Sequence, residues 1–232
     1  MLPPIRHVFF DLDNTLWDFT RNSAAVLGAL YEDHELARKG IPNLEAFLDR
    51  YHVHNNQAWK DYREGRTDAE RLRWERYERT LADFGEPDRP LAVRLADAYL
   101  ERLADQAILV DGTRALLDAL APRYALHVIT NGFDKVQHGK LRRSALSPYF
   151  QTVTTADSAG AVKPDPRIFK HALGLAKAAA EESLYVGDHA EVDGSAEDAG
   201  LHFAWFNPDK QPNDHGHARE LHRLEDLLTW LP

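Results

Sequence analysis

The hydrophobic pattern changes period twice along the chain. Residues 5–10 end in Val8-Phe9-Phe10, a β-branched and aromatic run suited to a strand covered on both faces. From Trp17 the spacing becomes helical: Ala24, Leu27 and Tyr31 recur on one face, and Leu44, Phe47, Leu48 and Tyr51 fill positions i, i+3, i+4 and i+7. Trp74, Tyr77, Leu81 and Phe84 form a third stripe, and Leu91, Leu95, Ala98 and Tyr99 a fourth. Gly40-Ile41-Pro42-Asn43 and Gly85-Glu86-Pro87-Asp88 punctuate these helices, with Asn43 and Asp88 placed to cap the helices that follow. Residues 17–105 therefore read as an inserted all-helical bundle, with Trp59, Tyr62, Trp74 and Tyr77 in its core.

After Asp111-Gly112-Thr113, where Asp111 suits a turn or cap, strands and helices alternate as in α/β proteins. A helix through Leu116, Leu117 and Leu120 precedes a strand over 125–129, and a basic amphipathic helix covers 133–145. A strand over 150–155 and a helix over 166–177 follow, the helix with Asp165 as N-cap and Pro166 in its first turn. The pattern then predicts a strand over 183–186, a helix over 195–199, a strand over 201–206 and a closing helix over 220–231. Residues 207–216 read as a polar surface loop, and His215 and His217 as loop residues rather than metal ligands. The fold class expected is α/β with a parallel sheet, built from residues 1–16 and 106–232 around the helical insert.

Composition narrows the function classes. At 232 residues with 44% apolar content, the chain suits one soluble domain with a small insert. No apolar run approaches a membrane span, and no signal-peptide layout opens the sequence. The absence of cysteine removes disulfide and thiolate chemistry and fits a reducing, cytoplasmic setting. A net charge of −9 argues against a nucleic-acid polymer as partner and requires local cations for any anionic substrate.

Polar residues stand at three strand ends, where open α/β sheets place their ligand crevice. Asp11 and Asp13 follow the first strand, Thr130-Asn131-Gly132 the second, and Gly187-Asp188, with Asp193 beyond, the fourth. Taken alone, Asp11 and Asp13 suit a turn or N-cap as well as a site. Lys163 precedes Pro164-Asp165-Pro166 at a helix start and, taken alone, suits a solvated surface. Phosphoryl transfer uses these residue types together. A carboxylate can attack phosphorus, and positive charge must lie between it and the phosphate dianion, for which Mg²⁺ with oxygen ligands is suited. Lys163 with donors at Thr130 and Asn131 can hold phosphoryl oxygens, and a second carboxylate can protonate the leaving alkoxide.

Asp-x-Asp-x-Thr, strand-end Thr-Asn-Gly, Lys-Pro and Gly-Asp-x₄-Asp, in this order, resemble the haloacid dehalogenase-like phosphohydrolase superfamily (HAD) over essentially the whole chain. The resemblance implies a Rossmann-like core and a helical cap inserted after the first motif. It implies Asp11 as nucleophile and Asp13 as acid/base. It also implies Mg²⁺ held by Asp11, the Asp13 main-chain carbonyl and Asp188, with Asp193 behind them. Two positions depart from the family pattern: His189 replaces a common serine, and Gly194 an aliphatic residue. Neither removes a ligand, although His189 bears on metal affinity and pH dependence. Asn131-Gly132-Phe133-Asp134-Lys135-Val136-Gln137, with Lys140, further resembles the pyrimidine 5′-nucleotidase branch.

The expected protein is a Mg²⁺-dependent phosphomonoesterase, a monomer or homodimer, acting on a small phosphorylated metabolite, foremost a nucleoside 5′-monophosphate. Trp17 and Phe19, at the crossing into the insert, are candidates to line its substrate pocket. A phosphoglycolate or sugar phosphatase, a phosphomutase, a haloacid dehalogenase and a non-catalytic binding module are the alternatives.

Overall fold

The computed structural model describes residues 4–85 and 87–231, which leaves Glu86 of the second punctuating turn outside the described residues. The chain divides into two compact units, one made of the residues up to Phe19 together with those from Ala107 onward, the other Thr20–Gln106. The unit boundary thus falls after Phe19, not before Trp17. Trp17 bridges to Leu109, and the Asp18 N–H donates to the Ile108 carbonyl at 3.1 Å, so the departing and returning strands of chain stay with the sheet.

The first unit is a wholly parallel sheet of strands β1 (His7–Phe10), β2 (Ala125–Thr130), β3 (Phe150–Thr155), β4 (Ser183–Gly187), β5 (His202–Phe206) and β6 (Glu220–Leu221). Its spatial order is β3-β2-β1-β4-β5-β6. Chain order reverses at β1, with β2 on one side and β4 on the other, so a switch-point crevice opens at the carboxyl end of β1. Val8, Phe9 and Phe10 are fully buried, as a central strand covered on both faces requires. Phe9, Ile129, Ile168, Phe169, Tyr185 and Phe203 belong to one continuous core cluster.

The second unit carries α1 (Phe19–Asp33, entering from the sheet unit), α2 (Leu44–Arg63), α3 (Ala69–Ala82) and α4 (Arg89–Ala104). Asn43 and Asp88 accept the backbone N–H groups of Ala46 and Leu91 and so cap α2 and α4. Tyr77 is fully buried, whereas Trp59, Tyr62 and Trp74 are only half-buried. The bundle instead encloses Arg76, whose guanidinium faces the rings of Tyr51, Tyr77 and Tyr99 and donates to Asn55 Oδ1 at 2.6 Å.

Helix α5 (Thr113–Leu120) precedes β2, α6 (Asp134–Arg143) follows it, and α7 (Ala156–Ala159) and α8 (Pro166–Ala176) lie between β3 and β4. Asp165 caps α8 through the Arg167 N–H. α9 (Ala190–Gly194) runs into a 3-10 turn over Ser195–Ala199. The closing segment is not the α-helix that its leucines suggest. Glu220–Leu221 pairs with Trp205–Phe206 as β6, and Leu224–Thr229 forms a 3-10 helix. Leu221, Leu224 and Leu227 are all buried, and their spacing of three suits three residues per turn as well as an α-helical stripe. No helix among the described residues is long and apolar enough to cross a membrane.

Candidate active site

The end of β1 sets the geometry. The Asp11 N–H extends the ladder by donating to the Val186 carbonyl at 2.8 Å, which fixes Asp11 beside β4. The chain then folds back, with the Leu12 carbonyl accepting from both Leu16 N (3.0 Å) and Trp17 N (2.9 Å). Asn14 takes φ 61°, a left-handed conformation that asparagine tolerates better than most residues. Thr15, fully buried, donates to Asp188 Oδ1 at 3.3 Å.

Carboxylate oxygens of Asp11, Asp188 and Asp193 all lie within 4.8 Å of one another. Lys163 Nζ sits among them, 2.6 Å from Asp11 Oδ1, 2.6 Å from Asp193 Oδ1 and 2.8 Å from the Tyr185 hydroxyl. Two buried carboxylates, Asp11 and Asp193, and the half-buried Asp188 against one ammonium leave an excess of negative charge. Burial pushes Asp11 up to about 7, with Asp193 and Asp13 adding to the rise and Lys163 opposing it. Burial likewise lifts Asp188 well above the usual carboxylate range, and Asp11 and Asp193 raise it further. Burial works against the Lys163 charge, but Asp11 and Asp193 outweigh it and hold the ammonium protonated. Hard oxygen donors with surplus negative charge fit a small divalent cation such as Mg²⁺.

Asp13 faces elsewhere. Its Oδ1 accepts from Lys140 Nζ at 2.6 Å and its Oδ2 from Gln137 Nε2 at 3.0 Å, both on α6. The carboxylate of Asp13 is therefore outside the acidic cluster, and only its main-chain carbonyl is left as a candidate metal donor. Lys140 is buried, which lowers its pKa while Asp13 opposes the fall.

Thr130 is buried at the end of β2, and its Oγ1 accepts from Gly132 N at 3.1 Å and Gln137 Nε2 at 2.6 Å. Asn131 uses part of its amide within the protein. Its Nδ2 donates to the Lys163 carbonyl at 3.0 Å and its Oδ1 accepts the Lys163 N–H at 2.7 Å, so it ties the β2 loop to the lysine. Trp17 is not a pocket wall either: it is fully buried, with Lys140 Nζ 4.3 Å from its ring centroid. Phe19 is half-buried, 5.5 Å from the same ammonium.

Both departures from the family pattern have local causes. His189 accepts the Val192 N–H on Nδ1 at 3.3 Å and caps α9, while its own N–H donates to Asp193 Oδ2 at 2.9 Å. A Cβ at Gly194 would stand 2.5 Å from His217 Cε1, so the imidazole occupies the aliphatic position. His217 is consequently a packing residue, edge-on to Phe203 at 4.8 Å, and not a bare loop side chain. Tyr185, Gln137 and Lys140 are the site residues without an assigned role in the sequence reading. Gln137 and Lys140 stand at i, i+3 beside the buried Val136 and Leu141, the one pattern that places them inward.

Residues 5–200 match the family model for haloacid dehalogenase-like hydrolases. The pyrimidine 5′-nucleotidase PynA of Streptococcus pneumoniae is 33% identical, over 97% of this chain and 94% of its own. The pyrimidine 5′-nucleotidase YjjG of Escherichia coli is 31% identical, over 95% and 96%. A magnesium-bound crystal structure of the HAD-hydrolase YfnB from Bacillus subtilis superposes with a TM-score of 0.90 at 27% identity, covering 99% of both chains. A 2-haloacid dehalogenase from Pseudomonas syringae superposes with a TM-score of 0.69 at 30% identity, covering 98% of both.

Proposed function

The chain belongs to the haloacid dehalogenase-like hydrolases, and within that family we propose that it is a Mg²⁺-dependent phosphomonoesterase acting on nucleoside 5′-monophosphates, pyrimidine ones foremost. The observation that carries this is the cluster of Asp11, Asp188 and Asp193 at the switch point of the sheet, with Lys163 paired to Asp11 and Asp193. A dehalogenase attacking carbon needs no cation beside its nucleophile, whereas a phosphatase uses surplus carboxylates to hold one. PynA and YjjG, alike over nearly the whole chain, support the nucleotide assignment.

In the first step an Asp11 oxygen attacks phosphorus, the P–O ester bond breaks, and Asp13 gives a proton to the leaving alkoxide. In the second, water attacks the aspartyl-phosphate, Asp13 takes its proton, and inorganic phosphate leaves with Asp11 restored. Asp11, the Asp13 main-chain carbonyl and Asp188 would hold Mg²⁺, backed by Asp193, and the bound ion supplies the positive charge that lets a dianion approach a carboxylate. Lys163 lies where it can pass from Asp11 to a phosphoryl oxygen. Thr130 Oγ1 accepts two hydrogen bonds, which turns its own proton outward as a donor. Phe19 is the aromatic side chain left to stack on a base. The helical unit, Thr20–Gln106, serves as the cap, and a cytoplasmic monomer or homodimer completes the proposal.

A release assay tests this, run with and without Mg²⁺ over pyrimidine and purine monophosphates, hexose phosphates, phosphoglycolate and 2-chloropropionate. The expected result is Mg²⁺-dependent phosphate release with a pyrimidine monophosphate highest in kcat/KM. A hexose phosphate or phosphoglycolate in the lead overturns the nucleotide assignment. Recovery of phosphate on a second sugar position points to a mutase, and metal-independent halide release to a dehalogenase.

A further inference from the structure

Gly132, Gln137 and Lys140 belong to one short stretch, and the two-step scheme gives Gln137 and Lys140 no task. Both are buried, at 0% and 2% exposure, and between them they take both carboxylate oxygens of Asp13. The Lys140 ammonium is confined on its other sides by the rings of Trp17 and Phe19. Gln137 Nε2 uses its two protons on Asp13 Oδ2 and Thr130 Oγ1. The reversed amide would set Oε1 against a carboxylate, so repulsion fixes this orientation. Gly132 is what leaves room: a Cβ there would stand 2.3 Å from Gln137 Nε2.

We propose that Gln137 and Lys140 are positioning residues for proton transfer, holding Asp13 in a single orientation, with Gly132 supplying the space that Gln137 needs. Each Asp13 oxygen spends one lone pair on the clamp and keeps one for the travelling proton. That proton passes to the leaving alkoxide as the P–O bond breaks and is regained from the attacking water. Gln137, shared with Thr130, sets the direction of the hydroxyl proton in the same act. This rests on Asp13 being the acid/base of a phosphomonoesterase.

The test compares first-step rates in single turnovers, with Mg²⁺ present, for a nucleoside 5′-monophosphate and 4-nitrophenyl phosphate. The first has an alkoxide leaving group that needs a proton, and the second does not. Gln137→Leu, Lys140→Met and Gly132→Ala should each slow the nucleotide about 10- to 100-fold and the aryl ester less than about threefold, with KM nearly unchanged. Gly132→Ala clashes with the Gln137 side chain from Nε2 back to Cγ, so it keeps the test open should Lys140→Met fail to fold. The Gly132→Ala/Gln137→Leu pair should be no slower than Gln137→Leu alone, because both remove one contact.

Equal losses for both esters would mean a packing role for α6 and overturn the proposal, as would full additivity or unchanged rates. Asp13→Asn separates the two levels. Leaving-group selectivity in Asp13→Asn but in none of the three variants removes the clamp alone. Its absence in Asp13→Asn, or a wild-type protein without phosphatase activity, removes the function proposed above as well.

Discussion

Asp11→Asn should stabilise the metal-free protein while abolishing turnover. Asp11 is 6% exposed, and its pKa is pushed up to about 7 from the ordinary aspartate value of 3.8, mainly by burial. A folded-state pKa above the unfolded one means that the folded protein holds the extra proton between those values. The penalty of carrying an ionised Asp11 is therefore absent below about pH 4, grows through the window, and is fully present above about 7. At about 1.4 kcal/mol per pKa unit the limiting value is roughly 4 kcal/mol. Lys163 and the acidic neighbours share the effect, so about 1–3 kcal/mol is the realistic gain, or several degrees in Tm for a chain of this size. Thermal unfolding of wild type and variant in chelator, at pH 5 and pH 8, measures it. The variant should melt higher at pH 8, and the difference should shrink at pH 5. Added Mg²⁺ should raise wild type more than the variant, because the cation relieves the repulsion that the asparagine has already removed. A variant equal to or less stable than wild type at pH 8, or an identical Mg²⁺ response in both, would refute the electrostatic account of this cluster.

Trp17→Ala, at a fully buried ring under Lys140, should cost about 3–5 kcal/mol and lower turnover of every phosphate ester, not selectively that of nucleotides; a stable variant impaired only on nucleotides would restore the ring as a pocket wall. Gly194→Ala drives a methyl into the His217 imidazole and should destabilise by about 1–3 kcal/mol, with Gly194→Ala/His217→Ala recovering part of the loss in denaturant unfolding; no recovery would place the strain elsewhere. His127, stacked on Phe9 and 3.1 Å from His7 Nδ1, has its pKa lowered to about 4 by burial and by His7. Its neutral form stabilises the fold above pH 6.5, and that contribution fades as pH falls toward 4. Urea unfolding of wild type should lose up to roughly 3 kcal/mol across that window relative to His127→Gln, and parallel curves would contradict it.

Sequence by itself determined the alternation of strands and helices, the helical insert, and which polar residues stand at the ends of β1, β2 and β4. Those follow from local periodicity and chain order, which a single sequence carries in full. Only the tertiary structure decided what each of these side chains faces. Asn131 looks like a donor for phosphate, and part of its amide closes on the Lys163 main chain across two loops distant in sequence. Lys140 sits in a basic amphipathic helix whose periodicity names no partner for it, and packing makes it the partner of Asp13. Trp17 stands beside the motif as if to meet a ligand, but the ammonium of Lys140 lies over its ring. The closing leucines satisfy an α-helix and a 3-10 turn equally, and pairing of Glu220–Leu221 with β5 selects the second. Periodicity tells which positions are buried but not against what. The partner of a charge or a ring is set by residues far away in the chain, through packing that exists only once the sheet has assembled.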